Sequence, residues 1–166
     1  MQSRFTKKAQ EALNHAAETA AMLGHGYIGS EHLLLGLIKA EGSLASSILI
    51  DNDVTDEKIT NLVYQLIAPD SNISVKEPAG YTPRVRRILE NASKEAIRFN
   101  SELIGTEHIL LAILADPDCE AHCILASFGI NLKKVCVDIL NLTNRDANEV
   151  KNYIKPAKRG RSAAQA

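Results

Sequence analysis

The chain repeats itself. The segment YIGSEHLLLGLI, from Tyr27 to Ile38, returns as LIGTEHILLAIL, from Leu103 to Leu114, at an offset of 76 residues and with six of twelve positions identical. The offset holds without a gap far outside this segment. Phe5-Thr6 falls on Tyr81-Thr82, Leu13 on Leu89, Ala16 on Ala92, Ala20 on Ala96, Ile48-Leu49 on Ile124-Leu125 and Lys58 on Lys134. A gapless match across a whole unit is the mark of duplication. With only two copies it predicts a pseudo-twofold pair of units and not an open solenoid.

Each unit reads as four helices. In the first, Phe5, Ala9, Leu13, Ala16, Ala20 and Leu23 recur in steps of three and four, the spacing of an amphipathic helix. Tyr81, Val85, Ile88, Leu89, Ala92, Ala96 and Phe99 repeat the stripe, behind Thr82 as an N-cap and Pro83 at the first helical position. The second helix begins at Ser30, or at Thr106, and is apolar nearly all round, as a buried central helix must be. A short third helix follows near Leu44 to Ile50 and again near Glu120 to Ala126, and a fourth starts at Thr55 or Asn131. The expected architecture is all-α, with tandem four-helix repeats packed as one domain of about eight helices. Residues 1–67 form the first repeat, 68–80 a linker marked by Pro69, Asp70, Pro78 and Gly80, 81–143 the second repeat, and 144–166 a flexible tail.

Composition limits the function classes. Aromatic residues are 4% of the chain and Trp is absent, so Leu, Ile, Val and Ala must build the core. The net charge of −1 lacks the basic excess of a dedicated nucleic-acid binder. Arg84, Arg86 and Arg87 read as solvated side chains ahead of a docking patch. The apolar runs are too short to span a bilayer. Cys119, Cys123 and Cys136 are an odd set placed late in the chain, which fits a reducing, cytoplasmic setting better than a disulfide framework. Cys119, His122 and Cys123 share a helical turn but lack a fourth ligand, so no metal site is expected. There is no GxxxxGK[ST] string to cradle nucleotide phosphates and no hydrolase pattern, so the chain is not expected to be an enzyme or to hold a cofactor.

The repeated Gly-Ser/Thr-Glu-His motif carries the chemistry. In the plainest reading Ser30 and Thr106 cap their own helices, Glu31 and Glu107 face the positive end of the helix dipole, and His32 and His108 are packed, hydrogen-bonded residues. A second reading adds to this. A helix N-terminus binds phosphate through its free N–H groups, and a carboxylate beside it takes a guanidinium at two points. Such a site suits a ligand that carries both groups.

The repeat resembles the Clp N-terminal repeat, most of all that of ClpC-type AAA+ unfoldases. The likeness lies in Arg4-Phe5-Thr6, Leu23-Gly24-His25, the run from Tyr27 to Leu37, Tyr81-Thr82-Pro83-Arg84, and the run from Ile104 to Leu111. The resemblance implies a domain that receives substrates and adaptors such as MecA, on a hexameric ring that uses ATP and Mg and feeds unfolded chains to ClpP. The chain is then expected to be the opening piece of a longer protein. The resemblance also implies binding of phosphoarginine-marked proteins, with Glu31 and Glu107 holding guanidinium and Thr6, Ser30, Thr82 and Thr106 as phosphate neighbours. It implies no nucleic-acid or membrane partner. The second copy departs from the family pattern at Asn100-Ser101-Glu102-Leu103 and at Asp116-Pro117-Asp118-Cys119, so the site around Glu107 is expected to be the more altered one. An adaptor-only scaffold and a small helical nucleic-acid binder are the competing readings.

Overall fold

The computed structural model describes residues 4–66 and 79–154. Among them are eight α-helices: α1 (Lys7–Met22), α2 (Ser30–Lys39), α3 (Leu44–Asp51), α4 (Asp56–Leu66), α5 (Pro83–Arg98), α6 (Thr106–Leu114), α7 (Glu120–Ser127) and α8 (Leu132–Leu142). The all-α duplicated architecture is as the repeat predicts. Helix starts follow local chemistry. Thr6 and Thr82 accept hydrogen bonds from the backbone N–H of Ala9 and Val85, both at 3.1 Å, and so open α1 and α5. Ser43 and Asn131 open α3 and α8 in the same way. At Cys119, the counterpart of Ser43, the cap acceptor is a sulfur, 3.4 Å from the N–H of His122.

The core is continuous across both repeats. Its centre is α2 and α6, whose Leu33, Leu34, Leu35 and Leu37, and Ile109, Leu110, Leu111 and Ile113, are fully buried. Their hydrophobicity on every side is thus the signature of helices enclosed by others. Gly36 brings α2 onto α1 so closely that a Cβ there would overlap the carbonyl oxygen of Ala12. The matched position in the second repeat is Ala112, which is itself buried.

The repeats are joined by exchange. The leg before α5 pairs in parallel with the loop before α2: Ile28 N–H donates to Gly80 O at 2.9 Å and Thr82 N–H to Ile28 O at 3.0 Å. The leg before α1 pairs likewise with the loop before α6, through Thr6 N–H to Ile104 O at 2.9 Å and Ile104 N–H to Arg4 O at 2.8 Å. Each repeat therefore frames the other's second helix.

One expectation needs correction. The stretch after residue 143, expected as tail, begins with a 3₁₀ helix, η1 (Ala147–Asn152), capped by Asp146. Val150 and Tyr153 are buried, and the Tyr153 hydroxyl donates to Glu95 on α5 at 2.6 Å. Sparse apolar residues at irregular spacing hid this turn, because it packs by two anchors and not by a periodic face. Most of the expected linker and residues 155–166 lie outside the described residues. Among the described residues no single helix is long and apolar enough to cross a membrane.

Candidate functional site

The two Gly-Ser/Thr-Glu-His motifs fold alike, but not as simple caps. Gly29 and Gly105 occupy the N-cap positions of α2 and α6. Having no side chain, they leave capping to the histidine three residues on. The backbone N–H of Gly29 donates to His32 Nδ1, and that of Gly105 to His108 Nδ1, each at 2.9 Å. Glycine leaves space here for the glutamate side chain. A Cβ at either position would stand 2.5 Å from Oε1 of Glu31 or Glu107. Each glutamate is thus folded back over its own helix start, where the dipole favours negative charge.

Ser30 and Thr106 do not cap their own helices. Ser30 Oγ accepts from Ala121 N–H at 3.0 Å, and Thr106 Oγ1 accepts from Ala45 N–H at 3.2 Å. Each hydroxyl serves the first turn of the other repeat's third helix. Both residues are buried. The sequence shows a hydroxyl in the right place for a cap; only the exchanged packing reveals which helix it caps.

The exchange also composes a cleft at the start of α2. Around Glu31 lies a cleft of about 350 Å³ whose walls come from three places. His25, Tyr27 and Glu31 belong to the start of α2 and its loop, Thr82 and Arg84 to the start of α5, and Asp118, Cys119 and Glu120 to the start of α7. Glu31 and Thr82, sequence candidates from different repeats, meet here. The carboxylate of Glu31 is 14% exposed, and among the described residues its one neighbour at ion-pair range is His32 Nδ1, at 4.0 Å. That nitrogen is already an acceptor, so it is not a cation. Burial raises the pKa of Glu31, its own backbone N–H pulls the other way, and the charge of Glu120 raises it further while His25 lowers it. The guanidinium of Arg84 is engaged with Asp116 at 3.3 Å.

The histidines differ between the copies. His25 Nδ1 and His32 Nε2 are 2.8 Å apart. Since His32 Nδ1 accepts from Gly29, His32 Nε2 carries the proton and donates to His25. Burial and His25 together push the His32 pKa down to about 4. At the position of His25 the second repeat has Ser101. There the rings of Phe99 and His108 stand perpendicular with centroids 5.1 Å apart, and His108 Nε2 is buried without a hydrogen-bond partner. Glu107 is 24% exposed, and the Thr6 N–H pairs with the carbonyl of Ile104 in the loop before α6. Lys8, the counterpart of Arg84, donates to the carbonyl of Glu41 at 2.6 Å.

The sequence profile of the Clp repeat N-terminal domain matches residues 4–128 and again 80–159. The chain belongs to the Clp repeat N-terminal domain family. It is 32% identical over 162 residues to the ATP-dependent Clp protease ATP-binding subunit ClpC of Staphylococcus epidermidis, covering 92% of this chain and 19% of that protein. It is 36% identical over 142 residues to the negative regulator of genetic competence ClpC/MecB of Bacillus subtilis, covering 86% of this chain and 17% of that protein. The chain thus spans about one fifth of the length of these relatives. Among solved structures, the N-terminal domain of ClpD from Arabidopsis thaliana shares the fold with a TM-score of 0.71 at 24% identity, over 84% of this chain and 96% of that one. A ClpV N-domain in complex with a VipB peptide does so with a TM-score of 0.66 at 18% identity, over 85% and 88%.

In this Clp repeat domain the exchanged frame brings one of the two departures, Asp116–Cys119, to the first repeat's cleft, while Asn100–Leu103 stays before α6. The unusual Asp116–Cys119 stretch belongs to the second repeat by sequence, yet Asp118 and Cys119 wall the cleft of Glu31. The first cleft therefore does not keep its surroundings intact, contrary to expectation. Arg84, Asp118 and Glu120 were not singled out for this site by spacing. The one signal for them was the repeat itself, because a pseudo-twofold pair places the ends of one unit against the other. Cys119 and Cys123 spend their sulfurs locally: the first caps α7, and the second lies 3.8 Å from the carbonyl of Pro117. Burial pushes the Cys119 thiol up to about 11.

Proposed function

We propose that this Clp repeat domain is the receiving module of a ClpC-type unfoldase, which engages marked substrates and adaptors at the cleft of the α2 start and at the matched α6 start. The observation that carries the reading is the matched pose of Glu31 and Glu107 against their preceding glycines. Each is a largely buried carboxylate folded over its own helix N-terminus, in the space beside a glycine. Such a carboxylate is a two-point acceptor for a guanidinium, and the hydroxyl of Thr82, which shares the cleft of Glu31, is a donor for a phosphate on that guanidinium, with Thr6 at the matched position of the other repeat. Ser30 and Thr106 contribute by holding the two repeats in register and with it the two helix starts. Phosphoarginine-bearing proteins are the ligand class, a MecA-type adaptor the second partner, and a ClpP-coupled ATPase ring in the cytoplasm the setting. The chain does no chemistry of its own in this reading; ATP and Mg belong to the ring.

Calorimetry with free phosphoarginine tests the proposal. Heat of binding is expected with phosphoarginine and not with phosphoserine, and Glu31→Ala combined with Glu107→Ala abolishes it. Equal binding by the double variant sinks the ligand assignment. An adaptor-only reading has one observation in its favour: Tyr27 and Leu103, at matched positions before the two helix starts, are 56% and 42% exposed. Adaptor binding that survives the double glutamate variant, with no heat from any amino-acid ligand, would select it.

A further inference from the structure

The second repeat fills a slot that, among the described residues, stands open in the first. After α8 the chain turns back as η1 and buries Tyr153 against α5 and the end of α6. The Tyr153 hydroxyl donates to Glu95, its ring lies 5.8 Å from the Arg98 guanidinium, and it shares a wall with Ala115. The 76-residue offset carries Glu95, Arg98 and Ala115 onto Thr19, Met22 and Lys39. Those three residues line one small cleft of the first repeat, with Leu23, Leu35 and Val63 as its apolar wall. The positions matching the anchors Val150 and Tyr153 are Ser74 and Glu77, so the plug itself is not repeated in the sequence. The cleft at the α2 start shares none of this lining.

We infer that this slot between α1, α2 and α4 is a docking site for a partner segment that presents one branched aliphatic side chain with a carboxylate beside it. Size and charge select that occupant. The open space is about 40 Å³, enough for the tip of a Leu or Val side chain. A benzene-sized ring needs about 150 Å³, so a second Tyr153 does not fit. The polar grips on a phenol are also gone, because Thr19 stands for Glu95 and Met22 for Arg98. Met22 is 67% exposed, and its flexible thioether moves aside at little cost to admit an aliphatic tip. Lys39, the last residue of α2, replaces the small apolar Ala115. Among the described residues its ammonium has no ion-pair partner. A carboxylate next to the inserted side chain meets that charge at the rim.

Methyl NMR on the whole 166-residue chain tests this with an end-capped peptide, Ala-Leu-Asp-Ala, and with its Leu-to-Ala and Asp-to-Asn variants. The parent peptide is expected to shift the methyl signals of Met22, Leu35 and Val63 at millimolar concentration. Leu111 and Ile139, at the matched positions of the filled slot, should stay in place. Replacing the peptide's Leu weakens binding at least about tenfold, and replacing its Asp, or Lys39→Gln in the protein, about threefold. Thr19→Leu fills the slot and abolishes the shifts. Shifts that survive the loss of the peptide's Leu overturn the inference, as does the absence of any shift at millimolar peptide. Movement of the same signals in Ile73→Ser with Val75→Ser, without peptide, also overturns it, because the chain's own segment then occupies the slot. Each of these results leaves the phosphoarginine proposal standing, since that calorimetry reads Glu31 and Glu107 and no residue of the slot.

Discussion

The two repeats solve the same packing problem with different tolerances. In the first, Gly36 lets α2 lie directly on the backbone of α1, and His32 is tied to His25. In the second, Ala112 is buried at the matched position, His108 lacks the second histidine, and η1 is clasped on through Tyr153 and Glu95. Duplication preserved the elements that both copies need to frame each other. It let the interior contacts within each copy drift. The two bridges at the second helices are kept, Ser30 with Ala121 and Thr106 with Ala45, while the bond of Asn52 to Asp138 across the repeats has Phe128 and Leu62 at the matched positions.

The largest expected asymmetry is at the glycine. Gly36→Ala should lower stability by roughly 3 kcal/mol, because backbone and not a movable side chain blocks the new methyl. Ala112→Gly should cost about 1 kcal/mol through helix propensity. Urea unfolding of both variants measures this, and equal losses would mean that the α1–α2 approach is no tighter than α5–α6.

The exchanged caps come next. Ser30→Ala and Thr106→Ala should each lose about 1 kcal/mol. The diagnostic is where the structure loosens. Amide exchange should rise in α7 for the first variant and in α3 for the second. Loosening confined to the variant's own second helix would contradict the cross-repeat assignment.

The smallest difference concerns acid. The folded His32 pKa lies near 4 against 6.5 unfolded, so between those values the unfolded chain binds a proton that the folded one excludes. Stability therefore falls as pH drops through that window. For His108 burial also lowers the pKa, but the charges of Glu107 and Glu95 oppose it. Replacing His32 with Gln should flatten the pH dependence of the urea midpoint more than His108→Gln does. The reverse order would show that the His25 contact does not matter to proton exclusion.

Much of this was legible in the chain. The 76-residue offset established duplication, steps of three and four located the helices, and Thr82 with Pro83 marked the start of α5. The all-apolar second helices announced their burial, and the Gly-Ser/Thr-Glu-His strings pointed to the helix starts that carry the glutamates. These are local properties: periodicity, capping and composition act over a few residues, so the order of amino acids is enough to determine them.

Only the tertiary structure decided who faces whom. The offset says that two units exist, but not that each frames the other's central helix. That exchange turns Ser30 and Thr106 into caps of distant helices and brings Thr82 beside Glu31. It also moves the acidic Asp118 and Glu120 of the second repeat into the cleft of the first. The physical reason is that a hydrogen-bond donor left bare at a helix start has no address in sequence. It is satisfied by whatever acceptor the folded chain delivers, and here that acceptor arrives from residues 61 or 91 positions away.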